Sequence, residues 1–107
     1  MAAIEITAEE LRSKLEAGEE LLLLDVRDDE DLAGSPGLHG AVHIPMGDVP
    51  GRTHDLDPDA EIVVYCARGQ RSASVAEYLR ERDFENARSL SGGLMSWTSG
   101  SPEQETT

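Results

Sequence analysis

Apolar and polar positions alternate along this chain in two rhythms, one of strands and one of helices. Ile4 and Ile6 flank a polar Glu5, the period-two spacing of a short strand. Thr7 followed by Glu10 forms a capping box, and Ala8, Leu11 and Leu15 share one face of the helix it opens, which Gly18 ends. Leu21-Leu22-Leu23-Leu24-Asp25-Val26 is an apolar run of strand length, the pattern of a strand covered on both faces. Asp28 to Ala33 spans one helical turn or two, and Gly34-Ser35-Pro36-Gly37 then breaks the chain. Gly40-Ala41-Val42-His43-Ile44-Pro45 offers a short strand stopped by proline, and Met46 to Pro58 reads as mostly loop with one short helix at most. Ile62-Val63-Val64-Tyr65 is a buried strand and Ser72 to Arg82 an amphipathic helix. Asn86 to Leu90 supplies a last strand and Gly93 to Trp97 a closing helix. From Ser99 on, the chain has nothing to bury, so residues 1–98 are expected to form one domain and 99–107 a disordered acidic tail.

Alternating strands and helices predict an α/β domain with a mainly parallel sheet covered on both faces. A chain of 107 residues, 38% of them hydrophobic, suits one core without metal or disulfide staples. Charge narrows the picture further. Against 22 acidic residues stand nine basic ones, of which only Lys14 is a lysine, for a formal net charge of −13. Such a surface repels nucleic acid and anionic membranes, so neither is expected as a partner. A disordered acidic chain would not carry the apolar runs at Leu21 to Leu24 and Ile62 to Tyr65. The N-terminus lacks the basic and apolar regions of a signal peptide, and no apolar run approaches the roughly 20 residues of a membrane span, so a soluble cytoplasmic protein is expected. The same acidity fits a halophilic protein of a salt-rich cytoplasm, and also an ordinary acidic domain with a charged tail.

The candidate chemistry centres on the single cysteine, Cys66, between the Ile62 strand and the Ser72 helix. Unpaired N–H groups and the positive end of a helix dipole favour an anion there, and Arg68 and Arg71 lie in the same loop. Those surroundings lower a thiol from its free pKa of roughly 8.5, which makes the nucleophilic thiolate the resting form. A buried structural cysteine is the competing reading. One cysteine excludes an internal disulfide, Cys-x-x-Cys chemistry and a cysteine-rich zinc site. His39, His43 and His54 have no Cys or carboxylate at metal-ligand spacing and read as surface or packing residues, so no metal or cofactor is expected. In parallel sheets ligands bind beyond the carboxyl ends of the strands. Asp25-Val26-Arg27, Cys66 to Arg71 and Gly92-Gly93 all stand at such ends and should converge on one rim. Arg27 is expected to pair with Glu30 or Asp31 on the surface. Gly92-Gly93, Trp97, Tyr78 and Phe84 are assigned to a turn and to packing.

Taken in order, Asp25-Val26-Arg27, Gly40 to Pro45, Cys66-Ala67-Arg68-Gly69-Gln70-Arg71-Ser72 and Gly92-Gly93-Leu94-Met95-Ser96-Trp97 resemble the successive motifs of single-domain rhodanese-like sulfurtransferases, collinear from about Ile4 to Trp97. The resemblance implies a five-stranded parallel sheet with helices on both faces, and an active-site cysteine that carries sulfane sulfur as a persulfide. One departure stands out: where family members usually have Gly-His-Ile-Pro-Gly-Ala, this chain has Pro36-Gly37-Leu38-His39-Gly40-Ala41, so the usual His is Gly37.

Loop length separates this chemistry from its neighbours. Cysteine phosphatases built on a similar strand, loop and helix carry one residue more between Cys and Arg, enough to enclose phosphate oxygens, whereas four residues separate Cys66 from Arg71. A ring of that size suits the terminal sulfur of a persulfide. The expected roles follow. Cys66 is the nucleophile; Arg68 attracts an anionic donor such as thiosulfate; Arg71 neutralises the loop and holds its shape. The amides of Ala67, Arg68, Gly69, Gln70, Arg71 and Ser72 cradle the sulfur, and Asp25 orients an arginine. The acceptor is cyanide or a thiol, either a small thiol or a thioredoxin-like protein, because no second cysteine resolves the persulfide. A sulfur-relay or regulatory interaction module and a cysteine-dependent phosphatase or arsenate reductase are the alternatives.

Overall fold

A strand sends successive side chains to opposite faces, so apolar runs such as Ile62 to Tyr65 need cover on both sides. In the computed structural model, which describes residues 4–99, five strands supply one all-parallel sheet. They are β1 (Glu5–Ile6), β2 (Leu22–Asp25), β3 (Val42–His43), β4 (Ile62–Tyr65) and β5 (Ala87–Leu90), in spatial order β1-β5-β4-β2-β3. The helices are α1 (Ala8–Glu16), α2 (Asp29–Gly34), α3 (Gln70–Glu81) and α4 (Gly93–Ser99). On one face Leu24, Ile62, Val64 and Ala87 form a core with Val75, Ala76 and Leu79 of α3. On the other, Leu23, Val63, Tyr65 and Leu90 meet Leu11 of α1 and Leu94 of α4. Cys66 continues the parity of Ile62 and Val64, which puts its thiol on the α3 side, while Tyr65 turns to the opposite face.

The expected elements form, with local differences. Thr7 caps α1 as the capping box requires: Glu10 N donates to Thr7 Oγ1 at 3.0 Å and Thr7 N to Glu10 Oε1 at 2.9 Å. Leu11 is fully buried, but Leu15 remains 38% exposed, so the buried face of α1 is narrower than its pattern. The stretch read as loop holds two 3₁₀ segments, Met46–Gly51 and Thr53–Asp55; Pro50 lies inside the first, and its missing N–H favours short turns over an α-helix. The tail expected from residue 99 lies, apart from Ser99 in α4, outside the described residues. No described helix is long and apolar enough to cross a membrane.

Candidate active site

The helix α3 begins two residues earlier than its apolar pattern suggests, because its first turn is capped by a sulfur. Gly69, in the left-handed conformation at φ +98°, is its N-cap residue. Four N–H groups at a helix N-terminus lack intrahelical partners. Here Gly69 N donates to Cys66 Sγ at 3.1 Å and Ser72 N at 3.4 Å, with Ser72 Oγ 3.5 Å from the same sulfur. Burial pushes the thiol pKa up, but the Ser72 hydroxyl and the amides of Ser72, Gly69 and Arg68 outweigh it and hold the thiol below its ordinary value. Cys66 is only 2% exposed, yet it lines a cleft of about 170 Å³ with Ala67, Arg68, Gln70 and Arg71. Near-complete burial of Cys66 is therefore compatible with a cleft at its side. Ser72 Oγ lies 2.7 Å from Ser89 Oγ of β5, both side chains fully buried. Ser89 did not stand out in the sequence; only the β4–β5 pairing brings it here.

The loop is fastened from the other side by α4. Leu94 N donates to the Cys66 carbonyl at 2.8 Å and Met95 N to the Ala67 carbonyl at 3.1 Å, so the first amides of α4 find partners in the cysteine loop. This contact requires Gly93: at φ +65°, a Cβ there would lie 2.6 Å from the carbonyl carbon and oxygen of Ala67 and from the Arg68 nitrogen. The turn and packing roles expected of Gly92-Gly93 are observed.

The two loop arginines diverge. Arg71 turns toward α2, with Nη1 3.7 Å from Asp28 Oδ2 and Nη2 3.4 Å from Asp31 Oδ2. Among the described residues Arg68 is exposed and its side chain has no partner, whereas every other Lys and Arg has one.

Arg27 corrects the expectation of a surface pair. It is 2% exposed and bound to Asp25, which is 1% exposed: Nη2 and Nε reach the carboxylate at 2.9 and 3.1 Å, and the Arg27 backbone N donates at 3.0 Å. Burial alone would raise the Asp25 carboxyl, but these bonds and the guanidinium charge hold it low. Asp25 thus does orient an arginine, and that arginine is Arg27 rather than a loop residue. Beside the pair stands Tyr65, the register partner of Asp25, whose hydroxyl accepts from Leu38 N at 2.8 Å. Burial, with the Asp25 carboxylate nearby, pushes that hydroxyl up to about 12. A Cβ on Gly37 would fall 2.5 Å from the Tyr65 hydroxyl and 2.6 Å from Asp25 Oδ2, so any side chain at this position would have to displace those groups. His43 Nε2 lies 2.7 Å from the Arg27 carbonyl, while His39 and His54 are exposed. Among the described residues no three His, Cys, Asp or Glu side chains are grouped as a metal site.

The chain as a whole resembles known proteins. The profile of the rhodanese-like domain family matches residues 7–100. The chain belongs to the rhodanese-like family. Among its relatives is YtwF of Bacillus subtilis, a sulfurtransferase by provisional assignment, 45% identical over 93 residues that cover 87% of this chain and 88% of that one. A thiosulfate sulfurtransferase of Coxiella burnetii, GlpE, is 32% identical over 98 residues, covering 87% and 91%. The crystal structure of a rhodanese-like domain protein from Staphylococcus aureus superposes with a TM-score of 0.82 at 33% identity over 89% of this chain and 91% of that one. The rhodanese-like fold expected from the motifs is therefore the observed one, and the family is one of sulfurtransferases.

Proposed function

We propose that this rhodanese-like domain is a sulfurtransferase that carries sulfane sulfur on Cys66. The observation that carries the reading is the pair of amides, Gly69 and Ser72, that donate to Sγ, with the Ser72 hydroxyl 3.5 Å away and placed to donate once the thiol ionises, all fixed before any substrate arrives. The Cys66 thiolate attacks the outer sulfur of thiosulfate; a new S–S bond forms, the old one breaks, and sulfite leaves with its electron pair. Cyanide or an acceptor thiolate then takes the outer sulfur and returns the thiolate. The charge balances in both steps, so no general base is required, and the buried Asp25–Arg27 pair takes no part in proton transfer at Cys66. Unpartnered Arg68 draws the anionic donor to the cleft, and Arg71 ties the loop to α2.

Thiocyanate production from thiosulfate and cyanide tests this reading. Cys66→Ser should abolish it, and Arg71→Ala should lower it at least about tenfold, on the order of 1.4 kcal/mol of barrier. Because four residues separate Cys66 from Arg71, aryl phosphates should be turned over negligibly. Phosphatase activity without thiosulfate turnover would reverse the assignment. One observation supports a second reading, sulfur relay: with a single cysteine the chain has no thiol of its own to resolve a persulfide, so the sulfur must leave to another molecule.

A further inference from the structure

Next to the sulfur cleft runs a second groove of about 220 Å³, and Ala67 lines both. Apolar Ala67, Leu94 and Met95 share its walls with two charged residues, Arg27 and Asp31. Each charged residue brings an unused polar atom. Arg27 commits Nε and Nη2 to Asp25, and Nη1 has no partner among the described residues. No buried side-chain nitrogen of those residues lacks a partner, so Nη1 must meet solvent, and the groove is the cavity that Arg27 lines. Asp31 receives the Asp28 amide at 3.2 Å and Arg71 at 3.4 Å on Oδ2, which leaves Oδ1 free.

An arginine held rigid by one carboxylate is preorganised to donate to another. A ligand that is only an anion would nonetheless be opposed by Asp31, and one that is only a cation by Arg27. A ligand with both charges a few bonds apart answers both. The volume lies below the roughly 300–1,000 Å³ of sites for drug-sized ligands, so it suits a single amino acid rather than a peptide. We infer that this groove is an acceptor subsite for a zwitterionic α-amino-acid thiol of the cysteine class: carboxylate on Arg27, ammonium on Asp31, and thiol directed past Ala67 to Cys66. For its chemistry this assignment rests on the sulfur-transfer reading of Cys66; for its binding it rests on the groove alone. In the step itself the acceptor thiolate attacks the outer persulfide sulfur, the new S–S bond forms as the Cys66 S–S bond breaks, and the electron pair returns to Cys66 as thiolate. The proton lost by the acceptor thiol to water is regained by the product persulfide or its solvent, and neither oxidant nor reductant is consumed.

Two arms test the assignment separately. L-serine, which replaces the thiol by an unreactive hydroxyl, should shift the backbone amide resonances of Ala67, Leu94 and Met95 saturably. 3-Hydroxypropanoate and ethanolamine, each lacking one charge, should bind at least about tenfold more weakly, and Asp31→Asn should weaken L-serine to a similar degree. In the second arm, persulfide-loaded protein is mixed with L-cysteine, 3-mercaptopropanoate or cysteamine, and rates are divided by thiolate concentration. L-cysteine should lead by at least about tenfold, and Asp31→Asn should bring it close to 3-mercaptopropanoate. No saturable response to L-serine, or equal normalised rates for the three thiols, would overturn the subsite. L-serine binding by a protein that accepts no sulfur would uphold the groove and overturn the transfer reading.

Discussion

An anion withdrawn from water needs donors already in place, and at Cys66 two amides and a hydroxyl supply them. The hydroxyl has a single proton to give. When Ser72 gives it to the thiolate, the 2.7 Å contact to Ser89 Oγ is free for Ser89 to donate in turn, which keeps the Ser72 hydroxyl aimed at sulfur. Alkylation by iodoacetamide followed against pH should therefore show a midpoint that rises in Ser72→Ala and, by a smaller amount, in Ser89→Ala. A midpoint unchanged in Ser72→Ala would contradict the hydroxyl's part. The sign for stability is fixed by the same shift. A thiol whose pKa is lowered in the folded state stabilises the fold fully above the unfolded value of roughly 8.5, and loses that contribution as pH falls through the folded value. The stability of the wild type relative to Cys66→Ala, measured by urea denaturation, should accordingly fall on acidification through that window and level off below it.

Between elements, the cysteine loop is clamped from two directions, by α3 through the sulfur and by α4 through the Cys66 and Ala67 carbonyls. Gly93 is the point of closest approach. Gly93→Ala adds a Cβ against backbone that cannot swing aside, at a positive φ, and should destabilise by at least about 2 kcal/mol in urea denaturation while depressing sulfur transfer. A neutral Gly93→Ala would mean that the α4 clamp is looser than described. The sheet, the position of Cys66 between β4 and α3 and the capping box of α1 were legible in the sequence because each depends on local period and spacing. The start of α3 was less so, since its capping atom is a sulfur rather than a Ser, Thr, Asp or Asn side chain. Arg27 was misread because a charged residue two positions after another looks solvated until the strand end buries both. The closeness of Gly37 to Tyr65 and of Ser72 to Ser89 comes from chain crossovers that no local pattern records.

Across the whole molecule, a net charge of −13 over 107 residues makes the surface repel itself, and that repulsion opposes the compact state. Most cations are engaged with acidic partners, as in Lys14–Glu61, Arg88–Glu61 and Arg71–Asp31, so many exposed carboxylates have no cation to face. Salt shortens the range of repulsion from roughly 10 Å at 0.1 M to roughly 3 Å at 1 M. On the halophilic reading the melting temperature should rise from about 0.1 M to about 2 M potassium chloride, and on the proposed sulfur transfer the KM for thiosulfate should rise with it as the attraction of Arg68 is screened. A flat or falling melting temperature would count against the halophilic reading and leave sulfur transfer untouched.

Whether Cys66 itself carries the sulfur is read out by intact-mass spectrometry of the protein after incubation with thiosulfate. The expected result is a gain of one sulfur atom, located on the peptide that contains Cys66, removed by cyanide, and absent in Cys66→Ser. No gain in the wild type, or a gain that persists in Cys66→Ser, would contradict it.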